Sequence, residues 1–276
     1  RFELYAIGAP QRHGQNLYKQ NIGAYDHAFA ESITGYRAYD TDAIGSDGEF
    51  KEAGRFFNQN WSPISSSYKG QQYWYMYGAN TVDRHDPNFL NERENFFHKP
   101  LINLNHFLTI NDQMRLSSVL YWSGGSGGGT GTYGRIPTMD ADGVTGLEDY
   151  KFYYGRSPWT RDWDALVAMN SGDDDTVYVD KRVLPRTHGA GNNQSVGILR
   201  NSINRQWTIG LISKLNYEMS ENVKLEFGVD WRTAEIEHAR EVRDLMGGDY
   251  YMDYADDNSP DGKKVGLGDI IAYHNH

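Results

Sequence analysis

INRQWTIGLISKLNYEMSENVKLEFGVDWRTA, residues 203–234, alternates with a period of two. Ile203, Trp207, Ile209, Leu211, Leu215 and Tyr217 fall on one face, with Arg205 and Ser213 as exceptions. Asn204, Gln206, Thr208, Lys214, Asn216 and Glu218 fall on the other, with Gly210 and Ile212 among them. After Met219-Ser220-Glu221-Asn222 the alternation resumes: Val223, Leu225, Phe227, Val229 and Trp231 against Lys224, Glu226, Gly228, Asp230 and Arg232. Such a period puts one set on each side of a pleated strand, and two runs around a short polar break read as a β-hairpin. Centred on Ser220, the pattern predicts Leu215 opposite Leu225, Leu211 opposite Val229, Ile209 opposite Trp231, Lys214 opposite Glu226 and Thr208 opposite Arg232.

A second hairpin follows the same plan. Ile102, Leu104, Leu108 and Ile110 alternate with Asn103, Asn105 and Thr109, Asn111-Asp112-Gln113 marks a turn, and Met114, Leu116, Leu120 and Trp122 continue the apolar face. Centred on Asp112, it pairs Leu108 with Leu116, Leu104 with Leu120 and Ile102 with Trp122. Further strands are expected at 2–9 and 270–276.

The six expected strands are 2–9, 100–110, 114–123, 203–217, 223–234 and 270–276. Alternating their directions places the long connections 10–98, 124–202 and 235–269 at one end and both tight turns at the other. Loops beyond about 12–15 residues are uncommon in compact domains. Long loops on one side and short turns on the other are typical of outer-membrane barrels. Trp122, Trp207 and Trp231 stand toward the long-loop ends and Tyr217 near a short turn, as aromatic girdles would. The expectation is an all-β, transmembrane antiparallel β-barrel, about six strands of a larger one, with long extracellular loops. The polar face, with Lys214, Glu226, Asp230, Arg232, Asn103 and Asn105, is expected to line the lumen.

Composition narrows the class. With 276 residues, a net charge of −10 and no basic run, the chain is a poor partner for nucleic acid. It has no Cys, so thiol and zinc-thiolate chemistry are excluded. Mean hydropathy is −0.72, and no run approaches the roughly 20 apolar residues of a membrane helix. A barrel strand needs only about 9–11 residues, half of them apolar, so this excludes helical spans alone.

Within the connections, 25–33 and 49–57 have helix-compatible patterns, the second with Ser46 or Asp47 near its start. Glu235–Met246 fits either a helix or a continued strand. QQYWYMYG, residues 71–78, reads either as a ligand-stacking surface or as a packed strand. The aromatic residues Trp74, Tyr75, Tyr77, Trp159 and Trp163 are the candidate ligand contacts. SGGSGGGTGTYG, residues 123–134, lacks the Lys-Ser/Thr of a phosphate loop and reads as a flexible turn. Asp140-Ala141-Asp142-Gly143 opens like a calcium loop but lacks the later ligands, and Asp173–Asp175 with Asp180 is a second acidic cluster; both read as solvated loops. His13, His27, His85, His98, His106, His188 and His238 show no triad or HExxH spacing, so no catalytic residue, metal ligand or cofactor is assigned.

FELYAIGAPQRHGQNLYKQNI (2–22), NFLNERENFFHKPLINLNHFL (88–108), RLSSVLYWSGGSGGGTGTYGR (115–135) and SKLNYEMSENVKLEFGVDWRTAEIEHAREVRDLMGG (213–248) resemble the barrel portion of a TonB-dependent receptor of Bacteroidetes-like bacteria. The resemblance implies a 22-stranded barrel in the outer membrane of a Gram-negative cell, occluded by an N-terminal plug and importing a ligand with energy from TonB. It implies outer-membrane lipid, the TonB complex and a surface lipoprotein or other membrane-complex subunits as partners. Neither plug nor TonB box is in these residues. The alternatives are a passive channel or scaffold barrel, and a soluble secreted β-protein that binds carbohydrate, in which the apolar stripe would face a second sheet.

Overall fold

The computed structural model describes residues 1–17, 20–37, 51–75, 79–143, 145–147, 155–172, 176–179, 182–185, 193–255 and 258–275. Among the described residues strand dominates at 57%, with two α-helices. Eight strands share the principal sheet: β1 (Phe2–Ile7), β2 (Gln11–Gly14), β3 (Glu94–His98), β4 (Leu101–Asn111), β5 (Met114–Gly134), β6 (Gly197–Ser220), β7 (Val223–Asp244) and β8 (Ile270–Asn275). The order is β1-β4-β5-β6-β7-β8, with β2 beside β3 and β3 beside β5, and every pairing is antiparallel. It is therefore an open up-and-down meander with β1 and β8 at its edges. The turns at 112–113 and 221–222 lie side by side at one end, where the Glu218 amide donates to the Gln113 carbonyl at 2.8 Å.

The β4–β5 register is the one the alternation predicts: Leu108 faces Leu116, Leu104 faces Leu120 and Ile102 faces Trp122. The β6–β7 hairpin is offset by two residues from its predicted register. Leu215 faces Phe227, Leu211 faces Trp231, Lys214 faces Gly228 and Thr208 faces Ala234. An irregularity between Glu218 and Ser220 moves the turn onto Glu221-Asn222. A slip of two keeps every side chain on its face, so the apolar pattern cannot discriminate it and the turn decides. Lys214 and Glu226 still meet, diagonally, at 2.7 Å.

The pairings assemble apolar rows across the sheet. One runs Leu4, Leu104, Leu120, Leu211, Trp231; another Ala6, Ile102, Trp122, Ile209; a third Leu108, Leu116, Leu215, Phe227. Among the described residues no second layer covers this band. Leu4 is 69% exposed, Leu211 38%, Leu225 38%, Val229 64% and Trp231 54%. Within it Ser118 Oγ and Ser213 Oγ satisfy each other at 2.8 Å. The band ends at Trp207, whose indole N–H donates to Glu235 at 2.9 Å. Beyond it the same face carries an ion pair of Arg205 with Glu237 at 2.8 Å.

Past that boundary the strands continue and are covered. β7 runs on to Asp244, so Glu235–Asp244 is strand, one of its two sequence readings. β5 runs through the glycine-rich segment to Gly134, which corrects the reading of that stretch as a flexible turn. Its backbone is held on both sides, Gly129 facing Asn95 on β3 and Ser202 on β6. A Cβ on Gly127 would lie 2.6 Å from the Phe96 carbonyl oxygen. Glycine is there because neighbouring backbone comes close, one of its regular uses inside strands.

The connections fold into a cap on both faces of these strand ends. On one face Ile64, Leu90, Ile136, Leu199 and Met246 pack around Trp163, Leu166 and Met169 of helix α2 (Trp163–Ser171). Asp162 caps that helix by accepting from Ala165 N at 3.0 Å, and Gly172 ends it at φ 86°. Asn170 ties it down: its Nδ2 donates to the carbonyls of Gly197, Leu245 and Met246, and its Oδ1 accepts from Val196 N. On the other face Ile198, Val242, Val265 and Ile271 form a smaller core. The helix expected over 25–33 forms as α1 (His27–Ser32). Of the helix expected over 49–57, residues 51–57 are not helical: Gly54 sits at φ 73°, and the Ala53 amide donates to the Ala24 carbonyl.

Candidate functional site

Two arrangements in the cap bear on function. The first is a buried polar network around Trp74, on the strand Gln71–Tyr75. Arg12 and Arg243 place their guanidinium carbons 4.2 and 4.1 Å from the centre of this indole. Both guanidiniums bind Glu94, Arg12 at 2.9 Å and Arg243 through Nη2 to Oε2. Arg243 also donates to Gln72 Oε1 at 2.9 Å. The amide of Gln72 donates to Asp244 at 3.3 Å, and Tyr68 donates its hydroxyl to Asp244 at 2.7 Å.

Burial pushes the Asp244 carboxyl above its ordinary range, opposed by the hydrogen bonds from Tyr68, the Met246 amide and Gln72. A carboxyl whose folded pKa is raised contributes full stability below the unfolded value, about 3.9, and loses it as pH rises through the folded value. The melting temperature of the wild type, relative to Asp244→Asn, is therefore expected to fall as pH rises from 4 to 8. A flat difference in Trp-fluorescence melts would remove Asp244 as the titrating group.

The second arrangement is a trough of about 630 Å³ on the polar face, just beyond the level of the apolar band. Its floor is Gly125, Gly127 and Gly129, on successive same-face positions of β5. Phe97, Asn95 and Lys99 stand on one side, and Ser202, Asn204, Gln206 and His238 on the other. Asn204, Gln206 and His238 are exposed, and Asn204 Oδ1 bonds His238 Nδ1. Beyond the trough, further along β5, the guanidiniums of Arg93 and Arg200 both lie against Gly131, where an added Cβ would be 2.5 Å from Arg93 Nη1 and 2.9 Å from Arg200 Nη2.

The candidate ligand aromatics fall elsewhere. Trp74 is buried against Phe96, Trp159 is 1% exposed and Trp163 is fully buried in α2. These three build the cap interior and present no open ring face. Tyr75 belongs to a strand paired with Ala79–Asp83, and Tyr77 lies outside the described residues. Lys214, Glu226, Asp230 and Arg232 share the face opposite the apolar band, with Arg232 bonded to Asp230 at 2.6 Å. Asp142 is engaged by the Lys51 ammonium; Asp173–Asp175 and Asp180 lie outside the described residues. Among the described residues no group of three His, Asp or Glu is placed to hold a metal ion.

The trough was missed because its glycines were read as a turn. Carrying the two-residue period of Met114–Trp122 onward through Gly125, Gly127, Gly129 and Gly131 would have kept the strand and exposed a face without side chains.

No protein-family model, no curated protein and no solved structure matches this chain.

Proposed function

We propose that this chain is a wall segment of an outer-membrane β-barrel with its cap outside the cell. More particularly, we propose a TonB-dependent receptor that imports a ligand through a lumen lined by Lys214, Glu226, Asp230 and Arg232. The observation that carries the first step is the uncovered apolar band on a sequential antiparallel meander. From Tyr217 to Trp207 it spans about 33 Å along the strand at ~3.3 Å per residue. At the usual 35–45° tilt that is about 25 Å of height, which matches the apolar band of such barrels. Aromatic residues bound it: Trp122 and Trp207 toward the cap, Tyr217 toward the turns. A soluble sandwich would cover these rows with a second sheet, and none of the described residues does so. Import and TonB coupling rest on the resemblance.

Brominated acyl chains test the membrane step. In proteoliposomes of the full protein, Trp122, Trp207 and Trp231 are expected to be quenched, and Trp74, Trp159 and Trp163 to be spared, as read with single-Trp variants. Release from membranes by alkaline carbonate without detergent, or no quenching at Trp231, would defeat it.

A further inference from the structure

We propose that a proton held between Glu241 and Asn201 latches the ribbon of strands Gln71–Tyr75 and Ala79–Asp83 onto the principal sheet, and that its loss releases the ribbon. All the residues involved lie beyond the apolar band, and the latch works the same whatever covers that band. The ribbon is a two-stranded sheet of its own, outside the ladder of β1–β8. It is held to that ladder through Gln72, the Tyr73 carbonyl and Trp74, none of them charged. The charges at this contact, Arg12, Glu94, Glu241, Arg243 and Asp244, all stand on the principal sheet. Asn201 is the joint: it is buried on β6, opposite Glu241 of β7. Its Nδ2 donates to the Tyr73 carbonyl at 3.1 Å and to Glu241 Oε1 at 3.0 Å. Turning the amide over would set its oxygen against the Tyr73 carbonyl, which can only accept, so the orientation is fixed. Asn201 Oδ1 is then a buried acceptor without a hydrogen-bond partner, a costly state. A proton on Glu241, which already bonds the same amide, is the donor this oxygen lacks.

The surroundings favour that proton. Glu241 is 1% exposed. Its charged neighbours are Arg205 of β6, at 3.5 Å, and Glu237 of its own strand, and Arg205 lies closer to Glu237, at 2.8 Å. One guanidinium is thus shared by two carboxylates. Thr130 of β5, opposite Asn201, and Ile270 of β8, opposite Glu241, bring no charge, and neither do the ribbon's contacts. Burial pushes the Glu241 carboxyl above its ordinary range, and Glu237 adds to the push, against the pull of Asn201 and Arg205. A raised folded value gives docking at full strength below the ordinary glutamate pKa of about 4.3 and weakens it as pH rises through the folded value. Released, the ribbon draws Trp74 away from Phe96, Ile203 and Ala239, the apolar cluster it completes.

Hydrogen exchange on the full protein between pH 5 and pH 8 tests this, read as protection factors so that the intrinsic pH dependence divides out. In the wild type, protection over Gln71–Tyr75 is expected to fall roughly tenfold, the equivalent of one unit in the Glu241 pKa, with 207–217 steady. Glu241→Gln carries a permanent N–H for Asn201 Oδ1, so its ribbon is expected to stay protected at every pH. Glu237→Gln leaves Arg205 to Glu241 alone, which favours the ionised form, so release is expected at a lower pH than in the wild type. Asp244→Asn, the other buried carboxyl under the ribbon, is expected to keep the fall. A flat wild-type profile, a fall that persists in Glu241→Gln, or a fall abolished by Asp244→Asn overturns the latch. If Glu241→Gln does not fold, the Glu237→Gln midpoint decides: a lower value supports the latch, and an unchanged or higher one overturns it.

Discussion

Leu211→Arg is expected to destabilise the folded protein in lipid by about 2–4 kcal/mol, the cost of an arginine on the lipid face at the bilayer midplane. Leu211 lies in the row Leu4, Leu104, Leu120, Leu211, Trp231, close to midway between Trp207 and Tyr217. The same substitution at Tyr217, near the turns, is expected to cost about 0–1 kcal/mol, because the arginine then reaches headgroups and water. Depth dependence is what separates lipid from other surroundings. Were the band an ordinary wet surface, Leu211→Arg would fall within about 0.5 kcal/mol of wild type, as most surface substitutions do. Were it buried under a second sheet, Leu211 and Tyr217 would both be costly. Reversible unfolding by guanidinium in vesicles measures all of these. Equal costs at 211 and 217 would sink the bilayer reading, whatever their size.

The band was legible in the sequence, and the cap was not, for one physical reason. A strand face in contact with a uniform environment imposes the same demand on every second residue, and a period of two is visible without coordinates. That is why the β4–β5 register came out residue for residue. It is also why the β6–β7 prediction preserved every face while missing the offset, which an irregularity at Glu218/Ser220 sets. Inside the cap each residue answers to a different neighbour. Arg12, Trp74, Glu94 and Arg243 converge from four separated segments, and nothing periodic announces it. The aromatic run 71–78 read either as a stacking surface or as a packed strand because exposed and buried Trp look alike in a sequence; partners decide. The glycine-rich stretch misled for the complementary reason. Glycine reads locally as freedom, but Gly127 is held where the Phe96 backbone leaves no room for a Cβ.

Glu94→Ala is expected to be the most damaging single change in the cap, at about 3–5 kcal/mol, the cost of leaving a buried partner without its counter-charge. Glu94 accepts from two guanidiniums that flank one indole. Arg12 is a third exposed and can turn to water once its carboxylate is gone. Arg243 is 2% exposed and cannot, and burial already lowers its pKa against the support of Glu94. It would keep Gln72 Oε1 as an acceptor and the Asp244 carboxyl nearby, but no hydrogen-bonded counter-charge. The reverse truncation, Arg243→Met, removes the trapped cation and leaves Glu94 its bond to Arg12, so it is expected to cost less than Glu94→Ala. Combining the two removes the stranded charge, and the double variant is expected to be more stable than Glu94→Ala alone, a coupling that a double-mutant cycle reads directly. Hydrogen exchange over Gln71–Tyr75 is the local measure, because this strand bears Trp74 and depends on the network. The apolar band lies beyond the network's reach, so exchange in 207–217 is expected to be unchanged. If Glu94→Ala and the double variant exchange alike, Arg243 does not need its counter-charge, and the cap is held by its apolar cores and not by this cluster.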